Sequence, residues 1–268
     1  LLFITPNVNY SSGASRGKFY QIRGIGERSE FTEPVNYSVG VIIDGIDFTG
    51  IALGASTFDV KQVEVLRGPQ GTLYGANALA GLINIVSNDP TEDFYSEISG
   101  SISEFGGKDF GVIISNSNDN NIGYRLGFKN SKSDGFVKNV YLNRDDTNDI
   151  NETISRAKFT KNNDSTKLIL NIFYADIDNG YDAFSLDNTR TTYSDEPGYD
   201  RQRTTAVSTK IEKILRNSDA IEILASFADS ELGYAYDEDW SNTGICDKTP
   251  CDSKLFGFDW WYSSFDSF

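Results

Sequence analysis

From about residue 92 onward, apolar and polar side chains alternate with a period of two, the mark of strands with two unlike faces. In residues 121–130, Ile122, Tyr124, Leu126 and Phe128 fall on one face, and Gly123, Arg125, Gly127 and Lys129 on the other. Residues 167–176 set Leu168, Leu170, Ile172 and Tyr174 against Ile169, Asn171, Phe173 and Ala175. Residues 220–229 set Ile221, Ile223, Ala225 and Phe227 against Glu222, Leu224, Ser226 and Ala228. A weaker stretch sets Thr153, Ser155, Ala157 and Phe159 against Ile154, Arg156 and Lys158. One face suits lipid and the other water, although an antiparallel sheet over the core of a soluble sandwich alternates in the same way.

The links between these stretches separate the two readings. They run short at 118–121, long at 131–150, short at 161–165, long at 178–200, short at 216–219 and long at 237–254. Loops beyond about 12 to 15 residues are uncommon in compact soluble domains, whereas outer-membrane barrels place short turns on one side and long loops on the other. The spacing therefore predicts a transmembrane β-barrel wall. No run of about 18 apolar residues is present, so no membrane-spanning helix is expected. The mean hydropathy of −0.38 averages the two faces of each strand and does not bear on a barrel.

Upstream, the pattern changes. Val63-Glu64-Val65-Leu66 reads as a strand, Arg67-Gly68-Pro69 punctuates it, and after the small-residue segment from Gly71 to Gly81 a second strand follows in Leu82-Ile83-Asn84-Ile85-Val86. Glycine and alanine leave little side-chain bulk there, so the backbone can pack closely against a neighbour. This segment resembles the C-terminal signature of the plug domain of TonB-dependent outer-membrane receptors. Gln21-Ile22-Arg23-Gly24-Ile25-Gly26 and the strand-like Ser38-Val39-Gly40-Val41-Ile42-Ile43-Asp44-Gly45-Ile46 resemble the same family in the same order. The resemblance is specific from about residue 16 to residue 90.

The resemblance implies an all-β fold with some α in the plug: a plug over residues 1–90, then over 91–268 the first 7 to 8 antiparallel strands of a 22-stranded transmembrane barrel. It implies a receptor in the bacterial outer membrane that takes up a scarce ligand, foremost a ferric siderophore, with vitamin B12, a glycan or another nutrient as alternative cargo. The partners implied are that metal chelate, outer-membrane lipid, and the TonB-ExbB-ExbD energising complex acting through an N-terminal box upstream of this sequence. Arg67 corresponds to a family arginine that pairs with barrel glutamates, and Arg23 is a second candidate for the same charge cluster. The glutamates are expected beyond Phe268. Gly68, Pro69, Gly71, Gly75 and Gly81 read as backbone turns without chemistry of their own. A non-transporting β-rich surface or secreted binding protein with plug-like sequence is the other reading.

Composition narrows the chemistry. The chain of 268 residues opens on Leu1-Leu2-Phe3-Ile4 and closes on the aromatic run Trp260 to Phe268, and reads as a piece cut at both ends. A net charge of −15, its acidic excess mostly in the later part, argues against nucleic acid as a partner. With no His in the chain, Ser-His-Asp and Cys-His pairs are excluded, and no spacing of Asp and Glu marks a glycosidase pair, so no enzyme activity is expected. The same lack of His weakens any zinc site, and no cofactor or metal is expected. Cys246 and Cys251, the two cysteines, stand in one long loop, where a disulfide fits an oxidising compartment; two reduced thiols remain the alternative. Tyr193, Tyr199, Tyr234, Tyr236 and Trp240 lie in or beside the long loops, as ligand-stacking rings or as an interfacial girdle.

Overall fold

The computed structural model describes residues 5–12, 15–28, 36–51, 57–186, 188–215 and 219–245, and the backbone of 261–267. Cys246 and Cys251 lie outside the described residues.

Two small sheets form first. Strands β1 (Val8–Ser12) and β2 (Gly17–Ile22) make an antiparallel pair. Strands β3 (Val39–Ile43), β4 (Ile46–Asp47) and β5 (Val60–Arg67), the single helical turn α1 (Gly71–Tyr74) and β6 (Gly81–Ser87) build a four-stranded sheet in the order β4-β3-β6-β5. β3 runs parallel to β6 and is buried at every position, which accounts for its unbroken Val39-Gly40-Val41-Ile42-Ile43 run in place of alternation. The single strand expected across residues 38–46 is instead a hairpin. Asp44 and Gly45, at φ 49° and 81°, form its turn, because a tight two-residue hairpin needs both central residues left-handed.

After β6 the chain enters one open antiparallel sheet of eight strands: β7 (Tyr95–Ile102), β8 (Lys108–Ser117), β9 (Ile122–Ser133), β11 (Ile150–Asn162), β12 (Thr166–Tyr181), β14 (Gly198–Ile214), β15 (Ala220–Asp237) and β16 (Trp261–Ser267). Each pairs with the next in sequence, as in an up-and-down barrel wall. The two-residue strands β10 (Lys138–Asn139) and β13 (Thr191–Thr192) pair with each other across two long loops, and buried Asp182 ties them by accepting from Asn139 Nδ2 (2.9 Å) and Thr192 Oγ1 (2.7 Å). The strands outrun the sequence reading at their loop ends: β12 continues to Tyr181 and β14 starts at Gly198. Cross-strand pairs such as Arg201 to Asp178 (2.7 Å) carry the ladder through charged residues that read as loop.

The faces fall as the alternation predicts. Ile122, Leu126 and Phe128 of β9, Leu168 and Ile172 of β12, and Ile221, Ile223 and Phe227 of β15 are exposed on the outer face. The inner face is not simply wet. The four-stranded unit lies against it, and a single apolar core unites Val41, Ile43, Ile46, Phe48 and Ile83 with Ile154, Phe173, Ala175, Ala206 and Leu232 of the wall. Phe48 and Phe173 meet ring to ring at 5.3 Å. Asn171, on the side expected to face water, is buried in this contact.

If the outer face meets lipid, Leu170→Arg should destabilise the protein in membranes by about 2 to 4 kcal/mol, while Ser226→Arg on the exposed inner face should change little. Equal effects at the two positions, measured by denaturant unfolding in lipid vesicles, would contradict this facing.

Candidate functional site: the charged seam inside the wall

Turns of the inner unit carry acids to the wall. The Asp44-Gly45 turn presses on β12, β14 and β15: the Asp44 carbonyl accepts from Ser208 Oγ (2.7 Å) and Asn171 Nδ2 (3.5 Å). A Cβ at Gly45 would stand 2.8 Å from Leu224 Cδ1, so glycine is needed there for approach as well as for φ. The Asp44 carboxylate accepts from the Ser87 N–H (3.0 Å) and lies 3.5 Å from Lys158 Nζ on β11. Lys158 in turn donates to the Ser87 carbonyl (2.9 Å) and stands 3.6 Å from Asp89.

Asp59 makes the tightest contact. It sits at φ 53° just before β5, and both its oxygens receive Arg125 of β9, at 2.6 Å from Nη2 and 2.8 Å from Nε. The two side chains are only 4% and 8% exposed. Next to them Phe58 fits over Gly127 and Gly111, where a Cβ would come within 3.0 Å and 3.7 Å of its ring. Small wall residues thus make the room that brings a turn close enough to pair its acid.

A third pair reverses the polarity. Arg16 of the segment before β2 donates from Nη2 to Asp200 Oδ1 (2.7 Å) and from Nη1 to Gln202 Oε1 (2.7 Å), and Ser15 Oγ donates to Asp200 Oδ2 (2.6 Å). Both Asp200 oxygens therefore have donors from the segment before β2, Oδ1 from Arg16 and Oδ2 from Arg16 and Ser15. Bidentate pairs of this kind are strong and directional, and removing one partner from a buried pair costs about 3 to 5 kcal/mol because the other charge is stranded.

Toward the loop end, inner-face aromatic residues collect. Tyr181 and Tyr236 flank Phe184, whose ring stacks on Trp240 at 4.9 Å and 9°, and Tyr234 stacks on Tyr236 at 6.5 Å. Asp237, past the last apolar outward residue of β15, accepts from the N–H groups of Asp239 and Trp240 (both 3.1 Å) and so holds Trp240 in its left-handed turn at φ 60°. Burial, and the charge of Asp239 beside it, push the Asp237 carboxyl up to about 7.

The residues singled out in the sequence lie elsewhere. Arg67, at the end of β5, is exposed and donates from Nη2 to the Pro6 carbonyl (3.0 Å). Arg23 is exposed in the turn after β2, at φ 56°. Gly68 and Pro69 close β5, Gly71 opens α1 and Gly75 caps it, its N–H donating to the Gly71 carbonyl. At Gly81 a Cβ would lie 2.5 Å from the Leu66 carbonyl, so the small residue permits close strand contact. Tyr199 lies beneath the Arg201 guanidinium at 4.4 Å, apart from the aromatic stack that gathers Tyr234, Tyr236 and Trp240. Arg125, Arg156 and Lys158 were missed as site residues, although the alternation already put all three on the polar face of their strands.

An inner unit held by buried charge to an antiparallel wall that is apolar outside has the architecture of a plug seated on part of a β-barrel wall. Residues 1–82 match the family model of the TonB-dependent receptor plug domain. The pesticin receptor of Yersinia pestis is 35% identical over 101 residues, which are 37% of this chain and 15% of that receptor. The catecholate siderophore receptor Fiu of Escherichia coli K12 is 43% identical over 65 residues, 24% of this chain and 8% of that receptor. The crystal structure of the ferric yersiniabactin uptake receptor FyuA from Yersinia pestis superposes with a TM-score of 0.75 at 22% identity, covering 87% of this chain and 38% of that one. Residues 1–82 thus match the plug domain of TonB-dependent receptors, and the sheet that follows has the fold of the barrel wall in those outer-membrane proteins. The chain spans well under half the length of the receptors it matches.

Because the folded value of Asp237 is raised, it contributes stability that is present at low pH and lost as pH rises through about 7. Fluorescence of a protein keeping Trp240 alone, with Trp260→Phe and Trp261→Phe, should therefore report a tighter stack at pH 5 than at pH 8. Asp237→Asn should flatten the profile, and an unchanged profile in that variant would contradict the assignment.

Proposed function

We propose that the protein imports a ferric siderophore across the outer membrane, with the plug as the movable barrier. The observation that carries this reading is the plug seated on the inner wall by three separate buried ion pairs, Asp59 to Arg125, Asp44 to Lys158 and Arg16 to Asp200. Each pair fixes the plug at one point on the wall beside the shared apolar core, so a pull on the plug must separate charges as well as apolar surface. The names of Fiu and FyuA suggest the cargo class, and the matched family is one of transporters. In this reading residues 1–90 are the plug and 91–268 the wall. The pull comes from the TonB-ExbB-ExbD complex through a box upstream of the matched residues, and lipid surrounds the outer face. Arg67 and Arg23, both exposed on the plug, are available to acids on barrel strands beyond those described here. Cys246 and Cys251 are the candidate pair for a loop disulfide, with two reduced thiols as the alternative. The stack of Phe184, Tyr236 and Trp240 offers flat apolar surface to an aromatic chelator.

Cells lacking their own siderophore receptors and expressing the full-length protein should accumulate radio-iron from at least one catecholate or phenolate chelate. Collapse of the proton-motive force should abolish uptake while leaving surface binding intact. Binding of cobalamin or a glycan without any ferric chelate would replace the cargo, and a protein found outside the outer-membrane fraction would overturn the transporter reading altogether.

A further inference from the structure

Arg156 of β11 is only 8% exposed, yet Nε, Nη1 and Nη2 all lack a hydrogen-bond partner. Its guanidinium lies over the Phe173 ring at 5.4 Å and faces a cavity between plug and wall lined by Asp44, Asp59, Arg125, Lys158 and Asn171. The free space is about 10 Å³, room for a single water. One water can bridge Arg156 to Asn171 Oδ1, the other partnerless atom in this cavity, but guanidinium carries five N–H donors. A buried cation left so short of partners is costly in the closed arrangement.

Its position supplies a reason. Arg156 precedes Lys158 by two residues on the same inward face, about 6.6 to 6.8 Å along the strand. Arg125 saturates Asp59 with a bidentate pair, whereas Asp44 is held by Lys158 at the looser distance of 3.5 Å, and Lys158 is shared with Asp89 and the Ser87 carbonyl. We propose that Arg156 is the second seat of a two-position latch for the plug carboxylate Asp44. When the plug shifts and Lys158 lets go, Arg156 takes Asp44. The receiving cation is already desolvated, so Asp44 is not left without a cation, and the unmet donors of the closed state favour the exchange. The inference rests on the plug-and-wall reading and not on the cargo.

A double-mutant cycle in the full-length protein, held in lipid vesicles without ligand, tests this through hydrogen exchange of the β3 amides, Val39–Ile43. Arg156→Met alone should leave exchange unchanged or slow it, because no hydrogen bond of the closed state is lost and the Met side chain still packs on the Phe173 ring. Lys158→Met alone should speed exchange less than about tenfold, since Arg156 takes over Asp44; the double variant should speed it well beyond the product of the two. Arg156→Lys should restore protection in the Lys158→Met background, and adding Asp44→Asn to the double variant should remove the excess. Multiplicative effects, or faster exchange in Arg156→Met alone, would overturn the latch. If the double variant fails to reach the membrane, the triple variant with Asp44→Asn must reach it; failure of both also overturns the proposal. Absence of siderophore uptake would count against the cargo and leave this cycle untouched.

Discussion

Everything in this structure turns on carboxylates of an inner sheet being paired, out of water, with cations on the inside of a β-sheet wall. Asp59 with Arg125 is the tightest case, a bidentate pair with both side chains almost fully buried. Such a pair gives modest net stability but a heavy penalty when one partner is displaced alone. It therefore acts as a positioning device. The inner sheet can sit in one place on the wall, and leaving that place requires its charges to find other partners or water.

The apolar contacts set the stage for that pairing. Phe48 against Phe173, and Ile43 and Ile83 among Ala175, Ala206 and Leu232, exclude water from the seam and raise the strength of each charge contact within it. The wall keeps its own bulk low where the plug comes closest, at Gly111, Gly127, Ala175 and Ala206. Bulk is placed on the outer face instead, where Leu168, Ile172 and Phe227 project. Plug and wall are thus written into the same strands, one on each alternate residue.

Much of this was legible in the sequence. The period-two pattern at residues 121–130 and 167–176 gave both strands and the facing of their side chains, because a one-residue slip would turn every apolar residue to the wrong side. The barrel-wall reading followed from the link lengths, and the resemblance to receptor plugs from the Arg67-Gly68-Pro69 segment and the two motifs before it. Strand ends were less legible: charged ladders such as Asp178 with Arg201 look like loop until their cross-strand partner is known. The seam was the least legible part. Lys158 and Asp44 are far apart in sequence and neither belongs to a motif, so only the packing of one sheet on another brings them together. The sequence had pointed to Arg67 and Arg23, whereas the described plug-to-wall contacts run mainly from wall cations to plug acids, with Arg16 and Asp200 the other way round.

The most direct test of the central claim is the effect of Asp59→Asn on thermal unfolding of the full-length protein in lipid. Stranding buried Arg125 should lower stability by about 3 to 5 kcal/mol, and adding Arg125→Met should recover most of that loss. An Asp59→Asn protein as stable as the parent, or a double variant no more stable than the single one, would contradict the view that buried charge pairing holds the plug to the wall.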